Sequence, residues 1–587
     1  YHQDLHSFPT RRSSDLLTGA VGQINTSDIS TRPVPDIVNS LQGLIPGLNI
    51  QQNSGDPRNA PEINIRGFNS INGGSPLVLI DGIEGDLNRL NPSDIENFSI
   101  LKDAASASIY GARGAFGVIL ITTKRGTAGK TSVDYSNNIG WTTPTTRTDY
   151  ISDPYLYAKT IDDAIFGYNG TSYSGYDEDD YEIARKVANG EIEPYKELLP
   201  NGNYKFFDKT NWYDYLFRKW QPSINHNISI SGGTDKIKGY LSGRYYKTKT
   251  IENVVDANFN KFNLKANVIF QATKWLEISN NIQFSQADDI IYGGYKSGWG
   301  GMWSTTTWYY LFAFHPISID GIPFDNWQGG PAALAAGNNW QKSHSEQLIN
   351  TLSAKLTPLK DLDIIFEYSK RITNDANSTR LNQFQSLLAP KLTLTTGGLN
   401  RLTEYRNRNY YNVLNLYGTY SKTFLNDHNL KLMLGFNQED YEADNVISEQ
   451  GDLLIPALEN LSLGTNILRA TGSASLWALR GYFGRFNYDY KNKYLLEFNA
   501  RYDGSSRFPE NSRWGFFPSV SLGWYPSREN FWTPIADIIN TLKLRASYGK
   551  LGNQTVGLYT FSQTLGISQS TWLANSAKLT YATVPDP

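Results

Sequence analysis

The chain has 587 residues, too many for one ordinary compact domain. A formal net charge of −2 gives no global basic signal for nucleic acid, and no apolar run of about 18 residues exists to cross a membrane as a helix. With 37 Tyr, 14 Trp, no Cys and a mean hydropathy of −0.44, the composition fits an all-β chain and excludes disulfides and thiolate metal sites. It equally fits a transmembrane β-barrel, whose outward apolar and inward polar residues cancel in any hydropathy average.

The first segment, "HSFPTRRSSDL" (His6 to Leu16), back-translates in one frame onto a common short-read sequencing adapter. Residues 1–16 are therefore set aside as a library artefact. Residues 17–127 read as a small α+β unit. "PDIVNSLQG" puts Ile37, Leu41 and Leu44 on one helical face, with Gly43 near the stop. "PEINIRGF" and "SPLVLIDG" are short strands closed by turn residues, and "SDIENF" holds the Ser93-x-x-Glu96 spacing of a helix-capping box. "LKDAASASIYGARGAFGVILITTKRG" (Leu101 to Gly126) opens as a helix behind Asp103, stops at Gly111 and ends as a strand. Its Ala/Ser run carries so little bulk that the helix can lie close against a neighbouring surface.

From about residue 131 the period becomes two. In "SVDYSNNIGW", Val133, Tyr135, Ile139 and Trp141 alternate with polar residues. "KFNLKANVIFQATKWLEISNNIQF" reads as a hairpin: Phe262, Leu264, Ala266, Val268 and Phe270 face one way, and Asn263, Lys265, Asn267 and Gln271 the other. Residues 482–502 repeat the device, with Arg485, Asn487, Asp489, Glu497, Asn499 and Arg501 on the polar face. Short turns fall near 233–236, 273–275, 357–361, 424–429 and 491–493; longer segments near 142–223, 248–258, 287–346, 375–408, 441–476 and 503–515 alternate with them. A barrel with one periplasmic and one outer end has that parity, and a soluble sandwich has no reason to keep it. The pattern predicts about 13 or 14 antiparallel strands of about 9–13 residues each, enough to cross a tilted bilayer path. Trp141, Trp275, Tyr490, Tyr494, Trp514 and Trp524 stand near strand ends, as an interfacial aromatic girdle would.

The segment at 101–126 resembles the plug signature of the SusC/RagA family of TonB-dependent outer-membrane transporters. So do "LQGLIPGLNIQQNSGDP", "INIRGFNSINGGSPLVLIDGIEG", "RYDGSSRFPENSRWGFFPSVSLGW" and "LKLRASYGKLGNQ", all in family order. Within the plug the signature residues are Arg66, Gly67, Asp81, Gly82, Lys102, Asp103, Tyr110, Gly111 and Gly117. The resemblance implies an N-terminal plug inside a 22-stranded transmembrane β-barrel, with residues 17–127 as plug and 128–587 as part of the barrel. It implies import of a bulky nutrient, a glycan oligosaccharide or a peptide. The implied partners are a SusD-like surface lipoprotein acting as a lid, outer-membrane lipid, and the TonB-ExbB-ExbD complex pulling a segment that should precede the plug. That segment and roughly a third or more of the barrel are expected to be missing, so this polypeptide alone is expected not to form a working transporter.

Other chemistries find weaker support. "GTAGKTS" (Gly126 to Ser132) lacks the earlier Gly of a phosphate loop and reads as the plug-to-barrel linker. The histidines show no metal-ligand spacing and no nucleophilic triad or cofactor motif stands out, so no enzyme is expected. Asp489 and Glu497 could form a glycosidase pair, but a solvated lumen accounts for both. Asp177, Glu178, Asp179 and Asp180 form an acidic run in a long loop, a weak Ca²⁺ candidate that reads more simply as a solvated charge run. Trp299, Trp303, Trp308, Tyr309 and Tyr310, in a predicted outer loop, offer flat faces for sugar stacking. Arg66 and Asp81 stand at turns where a plug-to-wall salt bridge is the expected role. Two alternatives stay open: a siderophore receptor, and a secreted soluble all-β carbohydrate-binding or carbohydrate-cleaving protein. An apolar outward face would exclude the soluble one.

Overall fold

The computed structural model describes residues 18–19, 21–25, 37–52, 56–59, 61–67, 74–145, 150–202, 204–292, 312–319, 321–325, 339–388, 393–397, 400–562, 566–571 and 578–583. Residues 1–16 and the aromatic run Trp299, Trp303, Trp308, Tyr309 and Tyr310 lie outside them.

The N-terminal unit is a five-stranded mixed sheet in the order Val21–Asn25, Ile95–Leu101, Val118–Thr123, Leu77–Ile80, Ile83–Glu84. Leu77–Ile80 runs parallel to Val118–Thr123, and the other pairs are antiparallel. Its strands bury both faces, which is why they read as near-continuous apolar runs. One face packs on the short helix Ile37–Leu41 through Ile37, Val38, Leu41, Ile95, Phe98 and Ile100. The capping-box expectation at Ser93 fails. Asn91, not Ser93, caps a single 3₁₀ turn over Pro92–Asp94, and Glu96 already lies in the strand Ile95–Leu101. Strand pairing on both sides of Ile95–Leu101 outweighs the local helix signal. At 101–126 the expectation holds: Asp103 accepts a hydrogen bond from Ser106 N–H at 2.9 Å and caps the helix Ala104–Ala107, which tightens into a 3₁₀ stretch over Ser108–Arg113.

The rest is dominated by one 13-stranded antiparallel meander from Gly129–Thr142 to Leu544–Gly549, each strand pairing with the next along the chain. In Asn258–Thr273 the two faces differ as read: Phe262, Leu264, Val268 and Phe270 are exposed, whereas Asn263, Lys265 and Asn267 are buried at 6%, 2% and 3%. Apolar outside and polar inside inverts a soluble protein, and the outward face is that of a membrane barrel. This excludes the soluble sandwich. The girdle residues Trp275, Tyr494 and Trp524 are exposed at the short-turn end, and Trp141 and Trp514 at the other.

Several strands exceed the 9–13 residues expected. His428–Leu453 has 26 and Gly464–Tyr490 has 27. Such hairpins outrun a bilayer crossing of about 9–11 residues and continue as aqueous ribbons. The short connections agree with the reading down to the two-residue-plus turns at Lys491 and Asn492, both with φ of 53°. The connection 525–543 departs from it: it belongs to the short-turn end, yet spans 3₁₀ turns over Pro526–Arg528 and Asn530–Ile535.

The longest connection, read as loop, folds. It holds helices Pro154–Asn169 and Glu178–Asn189, the latter with a capping box between Asp177 and Asp180. Tyr176, Tyr181, Phe207, Phe312 and Phe314 form their apolar core, with His315 packed edge-on to Phe312 and Phe314. Burial pulls the His315 imidazole down to a pKa of about 3.

Candidate functional site

The plug sheet alone would leave Leu77, Leu79, Leu101, Tyr110, Val118 and Leu120 uncovered. They pack on Ile365, Tyr417, Met433 and Phe483 from four wall strands, giving one shared apolar core. Around it the inward polar face of the wall meets the plug's backbone and turns.

The sharpest contact is at Gly111, whose φ of 53° and ψ of −117° suit only glycine. A Cβ there would stand 2.0 Å from Asp503 Oδ2 and 2.8 Å from Arg501 Cδ. The bare backbone lets the wall come in. Ala112 N–H donates to Asp503 Oδ2 at 3.0 Å, and Arg501 Nη1 donates to Ile109 O at 3.0 Å. Arg501 and Asp503 pair at 2.6 Å, 4% and 1% exposed, so each charge is neutralised where it is buried. Gln554 N–H donates to Ala112 O at 3.1 Å, and Ser108 Oγ lies 2.6 Å from Ser519 Oγ. Three motifs picked out separately, at 101–126, 501–524 and 542–554, thus meet in one seam. Tyr110, buried beside it, is pushed up to about 12 by burial.

The second contact is the turn Asp81–Gly82, with φ of 48° and 90°. Positive φ at both central residues gives the hairpin turn that Asp-Gly favours. Asp81 accepts from Thr123 N–H at 2.9 Å and Thr123 Oγ1 within the plug, and from Asn281 at 3.0 Å and Gln283 at 3.1 Å on the wall. Lys265 Nζ is 3.9 Å away. Burial alone would raise this carboxyl. The Lys265 and Arg125 charges and the Thr123 bonds outweigh it and hold Asp81 below the usual carboxylate range.

The third contact lies toward the long-connection end. Arg113 pairs with Glu439 at 2.6 Å, and Tyr411 OH donates to the same carboxylate at 2.6 Å. Glu84 lies nearby, and burial raises its carboxyl above the ordinary range. Beyond it a cavity of about 300 Å³ opens between plug and wall, lined by Glu84, Arg89, Arg371, Asp375, Asn409 and Tyr441 among others. Arg89 spans it, 2.7 Å from Ser345 Oγ and 3.6 Å from Asp375. A pocket with charges of both signs and amides suits a polar, hydrogen-bonding ligand.

The other sequence candidates distribute as follows. Gly67 and Gly117 take positive φ of 88° and 86° at turns. Lys102 Nζ donates to Pro46 O at 3.0 Å, its ammonium held low by burial and by Arg66 and Arg545. Arg66 thus lies beside another plug cation and makes no ion pair with the wall among the described residues. Asp180 pairs with Lys205, Asp177 caps the helix, and no group of three or more acidic, His or Cys residues is placed to hold a metal among the described residues. Glu497 accepts from Thr18 at 3.3 Å and Asn487 at 2.9 Å, whereas Asp489 accepts from Asn429 at 2.9 Å. Neither carboxylate opens onto a shared site. Sequence reasoning missed Arg113, Glu439, Arg89 and Arg371. Arg113 lay inside a quoted motif, but nothing local marks its partner 326 residues away.

Residues 14–118 match the family model described as TonB-dependent Receptor Plug Domain. TonB-dependent receptor P26 of Formosa agariphila is 30% identical over 94% of this chain and 53% of its own length. TonB-dependent receptor SusC of Bacteroides thetaiotaomicron is 27% identical over 92% of this chain and 52% of its own. The chain spans about half the length of these relatives. The RagAB peptide importer in its open-open state matches with a TM-score of 0.79 at 22% identity, covering 99% of this chain and 64% of that one. Plug, inverted sheet and relatives converge: the chain carries a TonB-dependent receptor plug domain beside the sheet of an outer-membrane β-barrel, and it is similar to receptors of the SusC/RagA type.

Proposed function

We propose that the receptor carrying this chain imports a bulky polar nutrient across the outer membrane, a glycan oligosaccharide first and a peptide second. One observation carries the reading: the plug fills the inward face of the sheet, and a charged cavity lies on its outer side. The relatives named as SusC and RagAB support it. Residues 17–127 act as plug and 128–587 as barrel wall. A SusD-like lipoprotein closes the long-connection end, and the TonB-ExbB-ExbD complex supplies the pull. The seat suits such a device. It is built from hydrogen bonds, a few ion pairs and one modest apolar core, all separable without covalent change. Trp299, Trp303, Trp308, Tyr309 and Tyr310 are the substrate-contact candidates from the outer connections.

The test is uptake of labelled oligosaccharides and peptides by cells expressing the receptor with its lid, with and without TonB. TonB-dependent uptake of one class supports the reading. Equal uptake without TonB, or uptake of neither class, overturns it.

A further inference from the structure

The connection 525–543 breaks the parity of the short-turn end, and its side chains explain what it does there. Its backbone coils through helical turns: Trp532 N–H donates to Glu529 O, and Ile539 N–H to Ile535 O at 2.9 Å. Phe531, Ile535, Ile538 and Ile539 are the large apolar side chains of this coil, and together they make an exposed apolar stripe. They are 64%, 39%, 84% and 47% exposed. The polar residues Thr533 and Asp537 fall between them, and Asn540 follows.

The coil is not a dangling loop. Trp532 Nε1 donates to Ile539 O at 2.8 Å and closes the coil on itself. Lys493 pairs with Glu529 at 2.9 Å, and Arg528 donates to Asn492 O at 2.6 Å, tying the coil to the neighbouring turn. A pinned segment that still presents four large apolar side chains needs something to cover them.

Its placement says what. The Phe531 ring lies 6.5 Å from that of Trp524, a girdle residue on the outward face. The stripe is therefore continuous with the lipid-facing surface of the sheet. We propose that residues 529–539 form an interfacial anchor: the stripe enters the headgroup–acyl boundary of the periplasmic leaflet, and its partner is phospholipid. Interfacial coils of this kind sit about 5–10 Å into that boundary. The anchor fixes the height of the short-turn end against the membrane while the plug is pulled from the same side. It does not depend on what the receptor imports.

The 587 residues hold no Cys, so each introduced label is unique among them. Single variants Ile538→Cys, Asp537→Cys and Leu241→Cys would be spin-labelled after reconstitution into phosphatidylethanolamine/phosphatidylglycerol vesicles. Collisions with oxygen and with a water-soluble nickel chelate would then be compared. Leu241 is on the outward face of a spanning strand and reports whether the barrel is in lipid at all. With Leu241 in lipid, the proposal expects the oxygen-to-nickel ratio at Ile538 to approach that at Leu241, and the ratio at Asp537 to fall toward the value in water. Ile538 as nickel-accessible as Asp537 would overturn it. So would an immobilised Ile538 label reached by neither reagent, which would mean a protein segment covers the stripe. A water-like Leu241 would refute the barrel reading and this proposal with it.

Discussion

Replacing Gly111 by Ala tests whether the plug is seated by the seam described above. The backbone at Gly111 lies at φ 53°, ψ −117°, which costs a non-glycine residue about 1–3 kcal/mol. The new Cβ would also stand 2.0 Å from Asp503 Oδ2, so the carboxylate must retreat and release Ala112 N–H. A hydrogen bond to a charged group is worth about 1.5–3 kcal/mol. Together the seam loses about 2.5–6 kcal/mol. Gly43→Ala is the control: its φ is 77°, but nothing lies within 4 Å of the added Cβ, so it bears only the left-handed penalty of about 1–2 kcal/mol. The assay is amide hydrogen exchange of the plug in the membrane-inserted protein. At about 1.4 kcal/mol per tenfold, Gly111→Ala should speed exchange at Ala112 and Gln554 by roughly a hundredfold or more. Gly43→Ala should leave those amides nearly unchanged. Equal effects from the two variants would refute the reasoning, because the cost would then be backbone strain and not the lost seat.

Asp81→Asn keeps the positive-φ turn but leaves the buried Lys265 without its nearest countercharge; loss of one partner of such a pair costs about 3–5 kcal/mol, read as a lower denaturant midpoint for plug release. Because the folded-state Asp81 carboxyl titrates below its ordinary value of 3.8, its contribution should hold at neutral pH and fade as pH drops below about 4 in a plug-release titration. Arg113→Met and Glu439→Gln should each weaken plug docking by about 3 kcal/mol, and the double variant should recover part of the loss, giving a measurable coupling in a double-mutant cycle. The buried His315 titrates near 3, below the ordinary 6.5, so the outer helical insert should be fully stable above about pH 6.5 and lose stability as pH falls toward 3. Exchange at Tyr181 and Phe207 would report it, and His315→Phe should flatten the dependence.

Much of this architecture was legible because a membrane imposes a rule on every spanning strand. Phe262, Leu264 and Val268 had to face lipid, and Asn263, Lys265 and Asn267 had to face inward, so the period-two pattern was sharp. Where strands run on past the bilayer both faces meet water and the contrast fades. Hence "YEADNVISEQGDL" (Tyr441 to Leu453) read as loop although it continues the strand His428–Leu453. The helices at 154–189 were signalled by Asp153-Pro154 and Gly170, and by Asp177-x-x-Asp180 and Gly190, but a loop reading hid them. Ser93-x-x-Glu96 misled because pairing on two sides outweighs one cap. The seam itself was out of reach: Gly111 could be singled out as a special backbone position, but its partner Asp503 lies 392 residues away and no periodicity links them.

The central claim is that the plug blocks the path and must leave its seat for import. Ser108 and Ser519, with Oγ atoms 2.6 Å apart, are placed to be cross-linked as Cys, and the 587 residues around them hold no other Cys. In cells expressing the receptor with Ser108→Cys and Ser519→Cys, uptake should stop under oxidising conditions and return on adding reductant. Undiminished uptake with the cross-link fully formed would contradict the account.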